Sequence, residues 1–238
     1  MAFTVIPAID VAGGRLARFT REGPAPISVF GGDPVAAARA FVEAGASWIH
    51  VVDMDLAFTR VAGNLDVVRS VAQLEVRVQA GGGIADASEV TAVLDAGAAR
   101  AVVGSAVLED LGRTADLIAS HGDSLAIGVE IEDGRIRARG SRPTDLPLVE
   151  TVEALVAAGA AMLVVTAVAQ VATLHGPDLD TLAVMVTSGC PVIASGGIAS
   201  DDDIAAVRET GAVGAIVGRA ALEGRFDLAA AIASFATS

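Results

Sequence analysis

Asp10, Asp53 and Glu130 each close a short apolar run, and two such carboxylates facing one another would suffice for paired acid and base work on a small substrate. Four further apolar runs end in glycine, at Gly81-Gly82-Gly83, Gly104-Ser105, Ser195-Gly196-Gly197 and Gly218-Arg219. Bare amides in a glycine-rich loop that enters a helix can converge on phosphate oxygens, because no Cβ blocks the approach and the helix dipole favours an anion. A single Gly-Gly turn is more often only a tight loop. Here the clusters fall at matching places in two halves of the chain, which predicts a ligand with a phosphate at each end.

The matching is a repeat. Residues 78–109 and 192–223 align without gaps at an offset of 114 and share 16 identities in 32 positions. The same offset carries 41–53 onto 155–167, and a shift of 120 carries 10–15 onto 130–135, making Glu130 the mate of Asp10. Each copy reads strand, loop, helix, strand, loop, a duplicated βαβ half-unit. Parallel half-barrels cannot bury their faces alone, so the expected fold is an α/β (β/α)8 TIM barrel built from two duplicated half-barrels. The length of 238 residues suits that fold and no composition break divides it, so residues 1–238 are expected to form a single barrel domain.

Apolar, β-branched stretches at 4–9, 48–53, 76–80, 101–103, 125–131, 162–166, 192–195 and 215–217 are the expected strands. Helices are expected between them, for example over 34–44, 86–96, 146–158 and 201–210, opening with Asp, Ser or Pro and closing at Gly. Stretches 13–27 and 138–146 are expected to be loops that set substrate preference. The chemistry of such a barrel sits on the loops leaving the C-terminal strand ends, where the carboxylates, Thr166 and the glycine clusters fall.

A net charge of -13, with every basic side chain an arginine, argues against nucleic acid or an anionic membrane as partner. The start has no basic leader and no apolar run approaches the roughly 20 residues that cross a bilayer, so a cytoplasmic protein is expected. The lone Cys190, before Pro191, allows no internal disulfide and reads as a small buried residue. No metal site and no cofactor are expected, since the histidines are scattered and the carboxylates lack helical metal-ligand spacing.

Ile6-Pro-Ala-Ile-Asp10, Gly45-Ala-Ser-Trp-Ile-His-Val-Val-Asp-Met-Asp55, Gly81-Gly-Gly-Ile84, Val103-Gly-Ser105, Thr173-Leu174, Gly176-Pro-Asp-Leu179, Ala194-Ser-Gly-Gly-Ile198 and Ile216-Val-Gly218 together carry a likeness over essentially the whole chain. The sequence resembles the phosphoribosylformimino-aminoimidazole carboxamide ribotide isomerases of histidine biosynthesis. It is most similar to their actinobacterial form, some members of which also isomerise phosphoribosyl anthranilate for tryptophan synthesis. The resemblance implies an Amadori rearrangement, in which ring opening and loss of a proton from the sugar's second carbon turn an aminoaldose into an aminoketose. It implies a phosphorylated small molecule as partner, and a monomer. Asp10 matches the strand-one aspartate and is the expected base, while Arg18 and Arg139 match arginines that meet the substrate. The substrate and its phosphates are expected to be bound by Gly82, Gly83, Gly104, Ser105, Thr166, Ser195, Gly196, Gly197, Gly218 and Arg219.

The chain departs from that pattern in one loop above all. Around strand six the family reads Thr-Asp-Ile, two residues, then Asp-Gly-Thr-Leu, its second aspartate being the acid; here Val171 holds that place, Ala167 the first aspartate's and Ala172 the glycine's. The arginine that follows Gly-Gly-Gly-Ile is Ala85, and the tryptophan of the strand-five loop is Ser141. A positioned general acid is worth about 10²–10⁴ in rate. Glu130 is one candidate to replace it, since a carboxyl among apolar groups can hold its proton toward neutrality. His175, of a residue type that titrates in the useful range, is another, although it reads equally well as an exposed loop residue. His50 reads as a core or rim residue and His121 as a helix C-terminal cap. Three readings stay open: a working isomerase, a divergent relative converting another phosphorylated sugar, and a phosphate-binding barrel without turnover. Fold does not choose between them.

Overall fold

The computed structural model describes residues 2–20, 22–137, 144, 146–171 and 174–236. Eight parallel strands occupy the apolar runs: β1 (Thr4–Ala12), β2 (Trp48–Asp53), β3 (Arg77–Ile84), β4 (Arg100–Val103), β5 (Leu125–Glu132), β6 (Leu163–Ala167), β7 (Val192–Ser195) and β8 (Gly214–Val217). They pair in chain order, and β8 returns to β1 with Thr4 opposite Gly214 and Pro7 opposite Val217, which closes the barrel. After each strand comes an outer helix: α1 (Pro34–Glu43), α2 (Leu65–Ala72), α3 (Ala87–Asp95), α4 (Leu111–His121), α5 (Leu148–Ala157), α6 (Leu179–Val186), α7 (Asp201–Glu209) and α8 (Leu228–Ala236). Side-chain oxygens of Asp33, Asp86, Asp110, Asp178 and Ser200 accept from first-turn amides and fix where five of these helices begin.

Closure sorts the apolar residues into two cores. Inside the barrel lie Ile6, Ala8, Val102, Ala126, Met162, Val164, Ile193 and Ile216. Trp48 packs against them from the N-terminal end of β2, with the guanidinium groups of Arg77 and Arg100 4.6 and 4.5 Å from its ring centre. Their chain neighbours, such as Ile9, Val103 and Val165, face outward and pack with the helices in the larger core. Side chains alternate along a strand, so the residue two past an interior apolar one points into the mouth. That rule sends Asp10 after Ala8, Gly104 after Val102, Thr166 after Val164, Ser195 after Ile193 and Gly218 after Ile216 to one place.

The stretch expected to be a loop over 13–27 is a β-hairpin instead. β1 runs past its expected end to Ala12, turns at Gly13 and Gly14, with φ of 56° and 72°, and continues as the antiparallel strands Arg15–Thr20 and Gly23–Pro26. β5 does the same through Asp133 and Gly134, with φ of 52° and 71°, into Arg135–Ile136. Two-residue turns with both φ positive match the twist of the strands they join, and the Gly-Gly and Asp-Gly pairs were their signal. The half-barrel repeat therefore extends into the hairpins.

The first hairpin is tied down by a polar network. Asp55 Oδ2 accepts from Gly13 N–H at 2.7 Å, and Asn64 Oδ1 accepts from Gly14 N–H at 2.9 Å. Asn64 Nδ2 donates to Asp53 Oδ1 at 2.6 Å and to Asp55 Oδ2 at 2.9 Å, while Asp53 also caps the Met54–Thr59 helical turn through Leu56 N–H. Asp53, one of the strand-end carboxylates, is thereby buried and spent on structure. What the network positions is Arg18 and Phe19, carried by the hairpin to the mouth of the barrel.

Candidate active site

At the C-terminal mouth lies a cavity of about 520 Å³. Its wall holds Asp10, Arg18, Gly82, Gly83, Gly104, Ser105, Glu130, Thr166, Ser195, Gly196, Gly197, Gly218 and Arg219, every one of them singled out by the sequence. His175 is exposed and stands outside that wall, the plainer of its two readings. Arg139 lies outside the described residues, as does most of the 138–146 stretch. His121 closes α4 with Nδ1 3.0 Å from the Leu117 carbonyl, and Cys190 is buried, which pushes its thiol pKa up and leaves it a poor nucleophile.

Asp10 lies two residues before the end of β1 and Glu130 two before the end of β5, strands four places apart in a ring of eight and so on opposite sides of the mouth. Glu130 is anchored. Its Oε2 accepts from Ser105 N–H at 3.0 Å and from the Ser105 hydroxyl, which in turn accepts from Glu130 N–H at 2.8 Å. Oε1 makes no hydrogen bond among the described residues. This lock corrects the expectation for Ser105: it is fully buried, and the donors it was to offer a phosphate are turned onto Glu130. Gly104 differs likewise, its N–H donating to the Ile84 carbonyl at 2.9 Å. The two methylenes of the glutamate side chain give Glu130 the reach to do this.

The glycine turns are tight for a physical reason. A Cβ on Gly82 would lie 2.4 Å from the Asp53 carbonyl oxygen, and one on Gly197 would lie 2.1 Å from that of Gly176, at φ values of +99° and +80°. Gly197→Ala is therefore expected to cost roughly 2–4 kcal/mol, joining left-handed strain to overlap with backbone. Urea unfolding of the variant checks this, and a loss below about 0.5 kcal/mol would mean that the Gly176 segment moves aside freely.

Other residues of the wall carry no motif in the sequence that marks them for the site. Phe19 and Phe58 stand with ring centroids 5.9 Å apart and planes inclined by 37°, an aromatic edge from the hairpin and from the turn after β2. Arg60 joins the wall from the left-handed end of that turn, at φ 61°. His50 lines the cavity and its ring is oriented from below. Arg100 Nη1 can only donate, and it meets Gln79 Oε1 at 2.9 Å; this turns Gln79 Nε2 toward His50 Nδ1 at 3.1 Å, makes that nitrogen the acceptor and leaves the ring proton on Nε2. Glu223 is held below the usual carboxylate pKa by hydrogen bonds from Arg219 and then Arg225, so an ionised carboxylate pins Arg219 at the rim. Val171 follows the helical turn Val168–Gln170 and is half-buried in the wall, where its side chain offers no proton.

The chain is similar to known proteins along nearly all of its length. Residues 4–227 match the histidine biosynthesis protein family. Phosphoribosyl isomerase A of Mycobacteroides abscessus is 42% identical, over 98% of this chain and 99% of that protein. A phosphoribosyl imidazole-4-carboxamide isomerase of Thermobifida fusca is 41% identical over 97% and 95% of the two chains, and one of Acidothermus cellulolyticus is 40% identical over 94% of each. With its closed barrel and paired glycine turns, the chain belongs to the histidine biosynthesis protein family, among the phosphoribosyl isomerases.

Proposed function

We propose that this enzyme converts a bis-phosphorylated aminoimidazole carboxamide ribotide from aminoaldose to aminoketose by an Amadori rearrangement. The observation that carries the reading is a pair of carboxylates on opposite strands, between two sets of glycine turns. Glu130, on the β5 side, gives a proton to the ring oxygen as the C1–O bond breaks and the amine nitrogen supplies its electron pair. Asp10, on the β1 side, removes the proton from the second carbon, and the resulting enolamine tautomerises to the ketone, so that no atom is gained or lost. Such a reaction wants acid and base on opposite faces of the sugar, which opposed strands supply. Thr166, Ser195 and Arg18 hold the ligand between the phosphate ends.

Phosphoribosyl anthranilate is the proposed second substrate, because Phe19 and Phe58 offer a planar ring an apolar partner. No described helix is long and apolar enough to cross a membrane, and the exposed large apolar side chains, such as Phe30, Leu111, Val149 and Val184, are spread over separate elements. These features support a monomer working in the cytoplasm. A steady-state assay with both substrates tests the activity: turnover of the formimino ribotide is expected, and its absence with intact ribotide binding would overturn the reaction while keeping the site.

A further inference from the structure

The two halves of the barrel treat their glycine turns differently. In the second half the Gly197 carbonyl accepts from Gly176 N–H at 3.2 Å. In the first half the equivalent carbonyl, Gly83, accepts from the side chain of Arg60. Arg60 and its repeat mate Leu174 have the same left-handed backbone, with φ of 61° and 62°, so one fold position carries a cation in one half and an apolar side chain in the other. The pinning carboxylate differs too. Glu89 accepts from Ala85 N–H at 2.7 Å as its mate Asp203 accepts from Ala199 N–H at 2.9 Å, but only Glu89 reaches on, holding Arg60 Nη2 at 2.6 Å.

This asymmetry answers a deficit. In the first half Gly104 and Ser105 have spent their amides on Ile84 and Glu130, and Ala85 carries no charge. In the second half Arg219, the mate of Ser105, stands at the rim and is pinned by Glu223 at 2.7 Å. We propose that Arg60 is the phosphate-binding cation of the first half, the counterpart of Arg219 in the second, so that each end of a doubly phosphorylated ligand meets one guanidinium fixed by a carboxylate. Two of its five N–H donors go to Gly83 and Glu89; the remaining three are available to phosphate oxygens, an anion that guanidinium matches in geometry. The inference rests on the proposed substrate only for the identity of the ligand, not for the two phosphate sites.

Inorganic phosphate is therefore the first probe, titrated into the full chain while the amide resonances of Gly83 and Gly197 are followed. The expected result is a site at each glycine turn, with the first weakened roughly 10- to 100-fold in Arg60→Leu and the second unmoved, as for loss of a charge-assisted hydrogen bond. Arg60→Lys, which keeps the charge and loses the fork, should fall between, and Arg219→Leu should weaken only the second site. No phosphate response at Gly83 in the parent protein, an unchanged first site in Arg60→Leu, or equal weakening of both sites would overturn the assignment. The ribotide is titrated next, and a parent protein that binds phosphate at both turns but not the ribotide would keep Arg60 in this role and refute the proposed substrate instead.

Discussion

Asp10→Asn is expected to lower kcat about 10²–10⁴-fold while KM stays nearly constant. Asparagine has the size of aspartate and keeps a hydrogen-bonding oxygen on β1, so the cavity and its phosphate turns should be unchanged. In the proposed reaction, what it loses is the ability to take a proton from the second carbon of the sugar. An interaction made only as that proton moves contributes to the transition state and not to ground-state binding, which is why the loss should appear in kcat alone. Activity within tenfold of the parent would remove Asp10 from the base role and leave the opposed-strand mechanism without its proton acceptor.

The barrel was legible because its signal is redundant. The ungapped repeat announced two equivalent halves, and strand expectations at 48–53 and 192–195 coincide with β2 and β7, whose runs are bounded by turn residues on both sides. The hairpin after β1 differs from the loop expected over 13–27, because a Gly-Gly pair serves a loop as readily as a two-residue reverse turn and only its two positive φ values distinguish them. Placement in the cavity wall was legible wherever position along a strand decides where a residue points, as at Asp10, Glu130 and Thr166. It was not legible where a side chain reaches across the fold. Nothing local to Ser105 says that it will be claimed by Glu130, 25 residues on, nor does the sequence around Arg60 say that its side chain will reach the Gly83 carbonyl. Those contacts depend on side-chain length and on which loops the barrel brings together, and a periodicity argument contains neither.

Val171 is where sequence and structure make the sharpest joint demand. Its φ of -58° and ψ of 127° are open to any residue, it is half-buried, and it lines the cavity from the loop after β6, the strand that pairs with the β5 of Glu130. Val171→Asp should therefore fold without strain and place a second proton donor on the acid side of the mouth. We expect kcat to rise by about 10²-fold, the lower end of what a positioned general acid gives, because in the proposed reaction Glu130 supplies part of that function with one oxygen tied to Ser105. KM should rise slightly, since another carboxylate is brought close to a phosphorylated ligand. The same substitution in Glu130→Gln separates the roles: if Glu130 is the present acid, Glu130→Gln alone loses most turnover and Val171→Asp restores it. A Val171→Asp variant with unchanged kcat would mean that proton delivery no longer limits this enzyme. A lowered kcat would mean that the apolar loop is needed by the reaction it now performs, and the search for that reaction would turn to phosphosugars whose leaving oxygen needs no second acid.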